Sequence, residues 1–229
     1  MGARPPLAAG SGPCAVDKRV ALVTLERMTT TAPGIDWAQY NLAAAGRPAR
    51  RMVSQAIAAA GGDSSGRVAL DLGAGGGADT LEFARQGWTV HAYDSDDTLT
   101  ARLVDEQRLD GTVHFHLGDM ARVDPFPVAD VIYSAYALPM LGKKLPAVWR
   151  RLRAALRPGG VMAVDLFGDR DTWADRDDIA TLSESKLDAM FDGLTVHDRS
   201  VRDEPGRAFA SDGRKHWHVI STLAAAPRR

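Results

Sequence analysis

A short apolar run that ends in a cluster of glycines constrains the fold of this chain more than any other feature. Residues 68–80 read VALDLGAGGGADT, with glycine at four of the five positions from Gly73 to Gly77. A glycine where a helix could form costs roughly 0.5–1 kcal/mol relative to alanine. The cluster therefore indicates a turn too sharp for a Cβ atom or a close approach to the backbone. The pattern predicts a buried strand, a tight bend and a helix.

The segments after this bend alternate between strand-like and helix-like patterns. Strand-like patterns cover residues 67–72, 88–94, 112–119, 129–138 and 161–168, and helix-like patterns cover residues 78–87, 96–109 and 145–156. Because the connections are short, the alternation predicts a parallel sheet covered by helices on both faces.

The alternation stops after the last of these strands. A polar loop is followed by a helix-like segment, residues 181–191, in which Thr181 and Glu184 are spaced as a capping box. Residues 194–204 and 215–223 then read as two strands around a turn. We therefore expect an α/β fold: a Rossmann-like, doubly wound, mostly parallel seven-stranded sheet with a C-terminal antiparallel strand pair and helices on both faces.

The sequence predicts three regions along the chain. Residues 1–33 are expected to form a disordered N-terminal tail. Residues 34–62 are expected to form an N-terminal helical cover, which Gly46 and Pro48 break into two helices. Residues 63–229 are expected to form the ligand-binding domain that contains the sheet.

Composition narrows the classes of function that this chain can have. The formal net charge is −1, so no overall field is expected to gather nucleic acid or anionic lipid. The single cysteine, Cys14, excludes a disulfide framework or a thiolate metal site within one chain. No apolar run reaches the roughly 20 residues that span a bilayer, and no apolar region typical of a signal peptide is found. We therefore expect a cytoplasmic protein without metal, a monomer or homodimer, whose partner is a small molecule.

Acidic residues at the ends of two later strands indicate a use for the glycine bend. Ligands of doubly wound sheets bind beyond the carboxyl ends of the strands, and GAGGGA matches the weak dinucleotide-binding pattern G-x-G-x-x-[GA]. Asp94 follows the bend by about 20 residues, where a carboxylate can accept both hydroxyls of a ribose. Asp119 ends the third strand, where it could accept a hydrogen bond from an adenine amino group while Met120 packs on the ring. The three strand ends predict an adenosine pocket.

Two ligand classes fit an adenosine pocket at this position. A nicotinamide dinucleotide needs a seat for its pyrophosphate, whereas Asp71 and Asp79 add negative charge there. A sulfonium with an amino-acid tail suits such surroundings, because it carries a cation and an ammonium. The Tyr-x-x-x-Lys pair of hydride chemistry is also absent at Tyr133 and Tyr136. An NAD-dependent oxidoreductase, a non-catalytic adenosyl-ligand-binding protein and unusual chemistry on the donor itself stay open as alternatives.

Five stretches of the chain, in order, carry a family resemblance. They are ALDLGAGGGADTLEFARQGWTVHAYDSD, HLGDM, ADVIYSAYALPML, LRAALRPGGVMAVDLFGDRDTW and KHWHV. They resemble class I S-adenosylmethionine (SAM)-dependent methyltransferases, in particular the small bacterial group similar to tellurite-resistance-type methyltransferases. The resemblance implies SAM as co-substrate and methyl transfer to a small-molecule acceptor with release of S-adenosylhomocysteine (SAH). Ala74 stands where the family usually has Cys or Ser, and Met140 where an aromatic residue often follows Leu-Pro.

The resemblance and the strand ends together imply a set of donor-binding residues. In the family, the glycine loop meets the methionine part of the donor, the acidic end of the second strand holds the ribose, and the Gly-Asp turn meets the adenine. The predicted donor-binding residues are Asp71, Gly73, Ala74, Gly75, Asp94, Ser95, Asp119, Met120 and Ser134.

The end of the fourth strand and the N-terminal cover supply candidates for the acceptor side. Methyl transfer from an activated donor requires chiefly that nucleophile and methyl group are aligned, so no catalytic triad is expected. Tyr136 is the leading catalytic candidate, through its hydroxyl or through π-contact with the cation, with simple packing as the alternative. The predicted acceptor pocket consists of Trp37, Tyr40, Tyr136, Met140 and Phe167.

Two groups of basic residues have competing interpretations. The arginines of GRPARR, residues 46–51, could hold an anionic acceptor, but a solvated helix face is the preferred interpretation. On a strand, His216 and His218 project from one face and Trp217 from the other. His216 is therefore a second catalytic candidate, as a base, although structural histidines are the alternative. No third ligand accompanies this pair, so no metal site is predicted.

Overall fold

The computed structural model describes residues 20–24, 36–105, 109–208 and 213–228, which form one mixed sheet with helices around it. The strands are β1 (Val20–Thr24), β2 (Val68–Leu72), β3 (Thr89–Asp94), β4 (Thr112–Leu117), β5 (Ala129–Ser134), β6 (Leu156–Gly168), β7 (Thr181–Leu182), β8 (Thr195–Ala208) and β9 (Gly213–Ala225). The helices are α1 (Trp37–Ala44), α2 (Arg51–Ala59), α3 (Ala78–Arg85), α4 (Thr98–Asp105), α5 (Leu145–Ala155) and α6 (Glu184–Met190). Short 3₁₀ segments lie at Met120–Arg122, Leu138–Lys144 and Thr172–Asp175.

The strand order confirms the predicted fold class. The sheet runs β1-β4-β3-β2-β5-β6-β9-β8, and the short strand β7 pairs with β6. Strand β9 is antiparallel to both of its neighbours, β6 and β8, whereas the other pairs are parallel. The seven expected strands are contiguous in this order, from β4 to β8. The chain therefore has a doubly wound, mostly parallel sheet with a C-terminal antiparallel pair.

Strand β1 extends this sheet beyond the seven expected strands. It pairs in parallel with β4, from Val20 opposite Val113 to Thr24 opposite Leu117. Its five residues fall within the range assigned from the sequence to a disordered tail. The rest of that range lies outside the described residues.

The helix after β6 begins later than the capping-box pattern predicts. Helix α6 begins at Glu184, its N-cap is Ser183, and the Ser183 side chain makes no capping hydrogen bond. Thr181 instead belongs to strand β7, where it lies opposite Phe167 of β6. The capping-box prediction is therefore wrong, because pairing with the long strand β6 places Thr181 in the sheet.

Apolar residues on the two faces of the sheet form two separate cores. Phe83 of α3 packs in the core on one face, and Trp149 of α5 packs in the core on the other. Successive strand residues point to opposite faces, so β2 sends Ala69 to the first core and Leu70 to the second. A sheet buried on both faces explains why its strands read as nearly continuous apolar runs.

The strand order reverses between β2 and β5, and this reversal positions the site. The chain leaves β2 through the glycine bend into α3 on one face, and leaves β5 through a 3₁₀ segment towards α5 on the other. The two connections diverge at the carboxyl edge of the sheet, where ligands of doubly wound sheets bind. Within the described ranges, no helix combines the length and apolarity needed to cross a membrane.

Candidate active site

A cleft of about 820 Å³ opens along the carboxyl edge of the sheet, within the range of about 300–1,000 Å³ for small-molecule pockets. Its lining has two chemically distinct parts. The glycine end follows β2, β3 and β4 and consists of Gly73, Ala74, Gly75, Gly76, Asp94, Ser95, Gly118, Asp119 and Met120. The aromatic end lies around β5, β6, β8 and β9 and consists of Tyr136, Met140, Phe167, Trp173, Arg202, Arg207 and Trp217. Helix α1 contributes Trp37, Tyr40 and Asn41.

The bend after β2 adopts a backbone conformation that favours glycine. Gly73, Gly75 and Gly77 have φ angles of 80°, 54° and 78°, in the left-handed region where a Cβ atom is strained. The N–H of Gly73 donates to the carbonyl of Tyr93 at 2.8 Å, which ties the bend to β3. Gly77 is then the N-cap of α3. The sharp turn that the glycine cluster predicts is therefore confirmed.

The bend also lacks side chains because helix α1 of the N-terminal cover packs against it. A Cβ atom on Gly76 would lie 2.7 Å from the Cα of Ala45, the C-cap of α1. A Cβ atom on Gly75 would lie 2.9 Å from Oδ1 of Asn41. Two of the glycines thus make room for the protein's own helix, which the sequence pattern does not distinguish from room for a ligand.

Asp94, at the end of β3, is the buried carboxylate that faces the glycine bend. Its Oδ2 accepts a hydrogen bond from the Gly75 N–H at 2.7 Å, and its Oδ1 accepts one from the Asp96 N–H at 2.9 Å. Burial raises the pKa of Asp94 to about 6, so the group is mostly ionised at neutral pH. Each oxygen keeps a second acceptor position beyond these bonds. The side chain can therefore accept two adjacent hydroxyl groups.

Asp119, after β4, is held in place at the same end of the cleft. Its Oδ1 accepts a hydrogen bond from the Ala121 N–H at 2.9 Å and so caps the short 3₁₀ segment there. Its Oδ2 lies 3.0 Å from Nζ of the exposed residue Lys144. Met120 is half-buried and Ser95 is exposed on the same lining. The structure thus brings both strand-end carboxylates, Asp94 and Asp119, to one end of the cleft.

Two predicted donor-binding residues, Asp71 and Ser134, do not line the cleft. Asp71 is buried and accepts a hydrogen bond from the Thr80 hydroxyl, and burial raises its pKa to about 7. Ser134 is buried and donates to the Leu72 carbonyl at 2.9 Å. Both side chains brace the bend from the protein interior, so the prediction of direct ligand contact is corrected to a supporting position.

Asp79, in the first turn of α3, is the centre of an ion cluster. Its carboxylate accepts hydrogen bonds from Arg47 at 2.6 Å, from Arg50 at 3.0 Å and from the Tyr133 hydroxyl at 3.1 Å. Burial acts to raise the pKa of Asp79, but the hydrogen bonds and charges of the two arginines hold it below its usual range. Arg47 and Arg50 line the cleft, so the preferred interpretation of these arginines as a solvated helix face is wrong. The expected excess of negative charge beside the bend is wrong as well, since two guanidinium groups face one carboxylate.

Three rings, one from the connection after β5 and one each from β6 and β9, form the wall of the aromatic end. The ring centroid of Tyr136 lies 6.3 Å from that of Phe167 and 5.8 Å from that of Trp217. Trp173 packs 5.8 Å from Trp217 and belongs to the same apolar cluster. Edge-to-face contacts at such distances stabilise aromatic pairs in defined orientations. The wall is therefore formed before any ligand arrives.

A buried ion pair supports this wall on the protein side. Lys215 is 5% exposed and pairs with the buried carboxylate of Asp171. Its Nζ lies 3.5 Å from the ring centroid of Trp173 and 3.9 Å from that of Trp217. A cation over the face of an indole is attracted to it. The pair therefore helps to hold both tryptophans in position.

Tyr136 has an unusual backbone conformation at the junction of the two ends. Its φ angle is 63°, in a region that residues other than glycine adopt only uncommonly. Such conformations concentrate at functional sites. The Arg50 guanidinium lies 5.5 Å from the centroid of its ring. Burial raises the pKa of Tyr136, so its hydroxyl is protonated at neutral pH and can donate a hydrogen bond, but is not a base.

The structure brings all five residues of the predicted acceptor pocket to the cleft. Trp37 and Tyr40 reach it from α1, with their rings in edge-to-face contact at 6.0 Å. Tyr136, Met140 and Phe167 reach it from the ends of β5 and β6. The lining residues that sequence reasoning missed include Asn41, Arg202, Arg207 and Trp217.

His216, the second catalytic candidate, lies outside the cleft. Trp217 lines the cleft, and because strand residues alternate, the side chains before and after it point to the other face. Nε2 of the half-buried His216 lies 2.6 Å from Oδ1 of Asp203. Buried His218 accepts a hydrogen bond from the Arg170 N–H at 3.1 Å. The prediction that His216 acts in the site is therefore corrected, and the same alternation is the signal that could have placed Trp217 there.

Solved structures of known proteins share this fold. TehB from Haemophilus influenzae has 18% sequence identity and a TM-score of 0.61, over 76% of this chain and 61% of TehB, so this chain spans less than two thirds of TehB. A 1,6-didemethyltoxoflavin-N1-methyltransferase from Burkholderia thailandensis, with bound 1,6-didemethyltoxoflavin and SAH, has 21% identity and a TM-score of 0.58, over 78% of this chain and 77% of that one. The [4+2]-cyclase SpnF has 16% identity and a TM-score of 0.61, over 84% of this chain and 93% of that one. The fold is that of class I SAM-dependent methyltransferases, as the sequence resemblance implies.

A family comparison gives a match over part of the chain. Residues 69–160 match the family model described as a methyltransferase domain. The matched range contains the glycine bend, Asp94 and Asp119. The match covers less than half of the chain, and it makes this part of the chain similar to methyltransferase domains. Among the described residues, no group of His, Cys, Asp and Glu has an arrangement suited to a metal ion.

Proposed function

We propose that the protein transfers the methyl group of SAM to a small-molecule acceptor and releases SAH. The observation that carries this proposal is the joint position of three strand ends. The glycine bend, Asp94 and Asp119 line one end of a single cleft, and an aromatic wall lines the other. The family match over residues 69–160 supports the same reaction.

The glycine end suits the nucleoside part of SAM. The two oxygens of Asp94 each accept one backbone hydrogen bond and have capacity for one more, which matches the two hydroxyls of a ribose. Asp119 and Met120 would hold the adenine, the first through its carboxylate and the second by packing. A bend without side chains lets the ligand approach the backbone closely.

The ion cluster around Asp79 suits the amino-acid tail of SAM. Arg47, Arg50 and Asp79 all line the cleft beside the bend. The guanidinium groups would bind the carboxylate of the tail, and the Asp79 carboxylate would bind its ammonium. The zwitterionic tail thus meets a lining that also carries both signs of charge.

The chemistry requires little of the protein beyond positioning. When bound, SAM supplies a methyl group on a positively charged sulfur, which keeps the electron pair of the broken bond as the acceptor's lone pair attacks the methyl carbon. Holding the acceptor in line can supply roughly 7–11 kcal/mol of the barrier reduction. The protonated Tyr136 hydroxyl would orient the acceptor, and the Tyr136 ring would stabilise positive charge nearby. A proton lost by the acceptor would leave to solvent.

An NAD-dependent oxidoreductase is a second candidate, since Arg47 and Arg50 would also suit a pyrophosphate. Titration calorimetry with SAM, SAH and NADH separates the two candidates. We expect SAM and SAH to bind and NADH not to bind. Binding of NADH in the absence of SAM and SAH binding would refute the methyltransferase proposal.

A screen with labelled donor tests whether bound SAM is turned over. The protein would be incubated with a metabolite extract and SAM that carries an isotopically labelled methyl group. We expect one labelled product and an equal amount of SAH, and both should form more slowly with the Asp94→Ala variant when SAM is not saturating. Donor binding without any labelled product would favour a non-catalytic adenosyl-ligand-binding protein. Donor-derived products formed without SAH would indicate chemistry on the donor itself.

A further inference from the structure

The aromatic end of the cleft carries an inference about the acceptor, which rests on the proposed function. We propose that the acceptor is a planar aromatic anion, such as an aromatic carboxylate. Its ring would lie against the wall formed by Tyr136, Phe167 and Trp217, and its anionic group would bind the guanidinium of Arg202.

The aromatic wall is the reason for proposing that the acceptor is planar and aromatic. Tyr136, Phe167 and Trp217 present three rings with centroids 5.8–6.3 Å apart, and Met140 lines the cleft beside them. Aromatic rings pack on one another at centroid distances of about 4.5–7 Å in offset or edge-to-face geometry. An aliphatic or sugar-like acceptor would gain less from this surface, because it has neither a π-face nor an aromatic edge.

Guanidinium groups at the aromatic end are the reason for proposing that the acceptor is an anion. The Arg202 guanidinium lies 5.3 Å from the ring centroid of Trp217, and its positive charge acts to lower the pKa of the nearby Tyr136 hydroxyl. Its Nε donates to Glu204 at 3.1 Å, and Arg202 lines the aromatic end of the cleft. Arg207 lines the same end, and its carbonyl accepts a hydrogen bond from Nε1 of Trp217. A planar guanidinium matches the geometry of a carboxylate and can bind it through two parallel hydrogen bonds.

The carboxylates near the aromatic wall are already paired with cations, so they do not favour a cationic acceptor. Aromatic walls also attract cations, so the local charges decide between the two signs. Asp177 and Asp178 line the cleft, but Lys143 lies 3.2 Å from the first and Arg176 lies 2.6 Å from the second. Asp79 is likewise occupied by two arginines. Each of these three carboxylates is therefore matched by a cation before an acceptor binds.

Lys215, which is buried behind the wall, also argues against a cationic acceptor. Nζ of Lys215 lies 3.5 Å and 3.9 Å from the ring centroids of Trp173 and Trp217. These rings already contact one cation through their π-systems, and Arg202 contacts Trp217 as well. Faces of Trp173 and Trp217 are therefore already used by cations, so these rings offer a cationic acceptor less than free rings would.

Equilibrium dialysis with three matched probes tests the inference. The probes are 2-naphthoate, 2-naphthamide and 2-naphthylmethylammonium, which share one ring system and differ in charge. Each would be dialysed against the full chain saturated with SAH at pH 7.5. We expect 2-naphthoate to bind at least about tenfold more tightly than the amide, and the ammonium to bind most weakly.

Substitutions of Arg202 locate the charge preference. The Arg202→Met variant is expected to bind 2-naphthoate and the amide with similar affinity, whereas Arg202→Lys retains part of the preference. Arg214→Met is the matched control, because Arg214 lies on the same β8–β9 hairpin, is exposed and does not line the cleft. SAH affinity and the thermal midpoint, measured on every variant, show whether each one is folded.

The outcomes separate this inference from the proposed function. If SAH itself does not bind, the proposed function fails. If SAH binds but the ammonium binds as tightly as 2-naphthoate, or the amide does, the anionic acceptor is wrong. If none of the three probes binds to the SAH-loaded protein, the planar aromatic acceptor is wrong. A preference for 2-naphthoate that persists in folded Arg202→Met would overturn the role of Arg202.

Discussion

The two ends of the cleft differ in how the chain builds them. The glycine end comes from one continuous stretch, residues 68–120, in which each candidate binding group lies at the end of a strand or within a few residues after it. The aromatic end collects side chains from positions as distant as Trp37 and Trp217. Backbone conformation dominates the first end, whereas side-chain identity dominates the second.

Because of this difference, the ligand of the glycine end can be inferred from the fold, whereas the ligand of the aromatic end has to be inferred from individual side chains. A backbone bend with left-handed glycines is tied to the strand–helix connection, so it accompanies the fold. Side chains such as Phe167 and Arg202 can change without altering the sheet that carries them. Function resides in sites placed on folds, so the ligand of the aromatic end has to be inferred from the side chains that line it.

The largest expected effect comes from removing the carboxylate of the glycine end. Asp94→Ala should weaken SAH binding by about 2 kcal/mol, roughly 30-fold, because the ribose hydroxyls lose their acceptor and the Gly75 N–H loses its partner. Titration calorimetry measures this change. Asp110→Ala is the control, since Asp110 is exposed and lies before β4, at the opposite edge of the sheet. Equal affinity of Asp94→Ala and the unsubstituted protein would remove Asp94 from the donor site.

A change of pH should distinguish the two ends of the cleft without any substitution. The pKa of Asp94 is raised to about 6, so the free protein loses the ionised acceptor as the pH falls through 6. We expect SAH affinity to fall about tenfold between pH 8 and pH 5, and this pH dependence to be absent in Asp94→Ala. Guanidinium groups in general stay charged over this range. An equal loss in Asp94→Ala would assign the pH dependence to another group.

Local patterns predicted most of the fold and the glycine end. Alternating apolar segments identified the seven strands, and the positions of Asp94 and Asp119 followed from strand ends alone. Asp71 was misplaced because it precedes the last residue of β2, so the pleat turns it into the core towards Thr80. A shift of one residue along a strand reverses the face of a side chain, and the prediction for Asp71 did not apply this alternation, although the strand end at Leu72 was placed correctly.

Long-range pairing accounts for what the sequence could not predict. Asp79 forms its ion cluster with Arg47 and Arg50, which belong to a separate segment of the cover. No local periodicity links these positions, so each charge was interpreted by itself. Arg202 reaches the cleft only through the pairing of β8 with β9. Contacts of this kind depend on the assembled tertiary structure.

A smaller effect is expected from a single methyl group on the bend. A Cβ atom on Gly76 would lie 2.7 Å from the Cα of Ala45 and 2.8 Å from the carbonyl oxygen of Asn41, so Gly76→Ala requires α1 to shift. We expect the free energy of unfolding to fall by about 1 kcal/mol, as for an overpacked site whose neighbour is a peripheral helix. Urea unfolding measures this change. Gly46→Ala is the control, because a Cβ atom there meets no atom within 4 Å. Equal stability of the two variants would mean that α1 does not rest on the bend.

The smallest effect is expected where the sequence first suggested a catalytic base. His216 and Trp217 are neighbours in β9, but only Trp217 lines the cleft, whereas His216 pairs with Asp203 on the other face. His216→Ala should leave SAH affinity and 2-naphthoate affinity within about twofold of the original values, since surface substitutions change free energies by roughly 0.5 kcal/mol or less. Trp217→Ala, one position along the strand, should weaken 2-naphthoate binding severalfold while SAH still binds. A loss of tenfold or more in methyl transfer for His216→Ala, on the acceptor found in the labelled-donor screen, would restore His216 to the site. It would also mean that the alternation of side chains along β9 does not identify the face of the strand on which the reaction takes place.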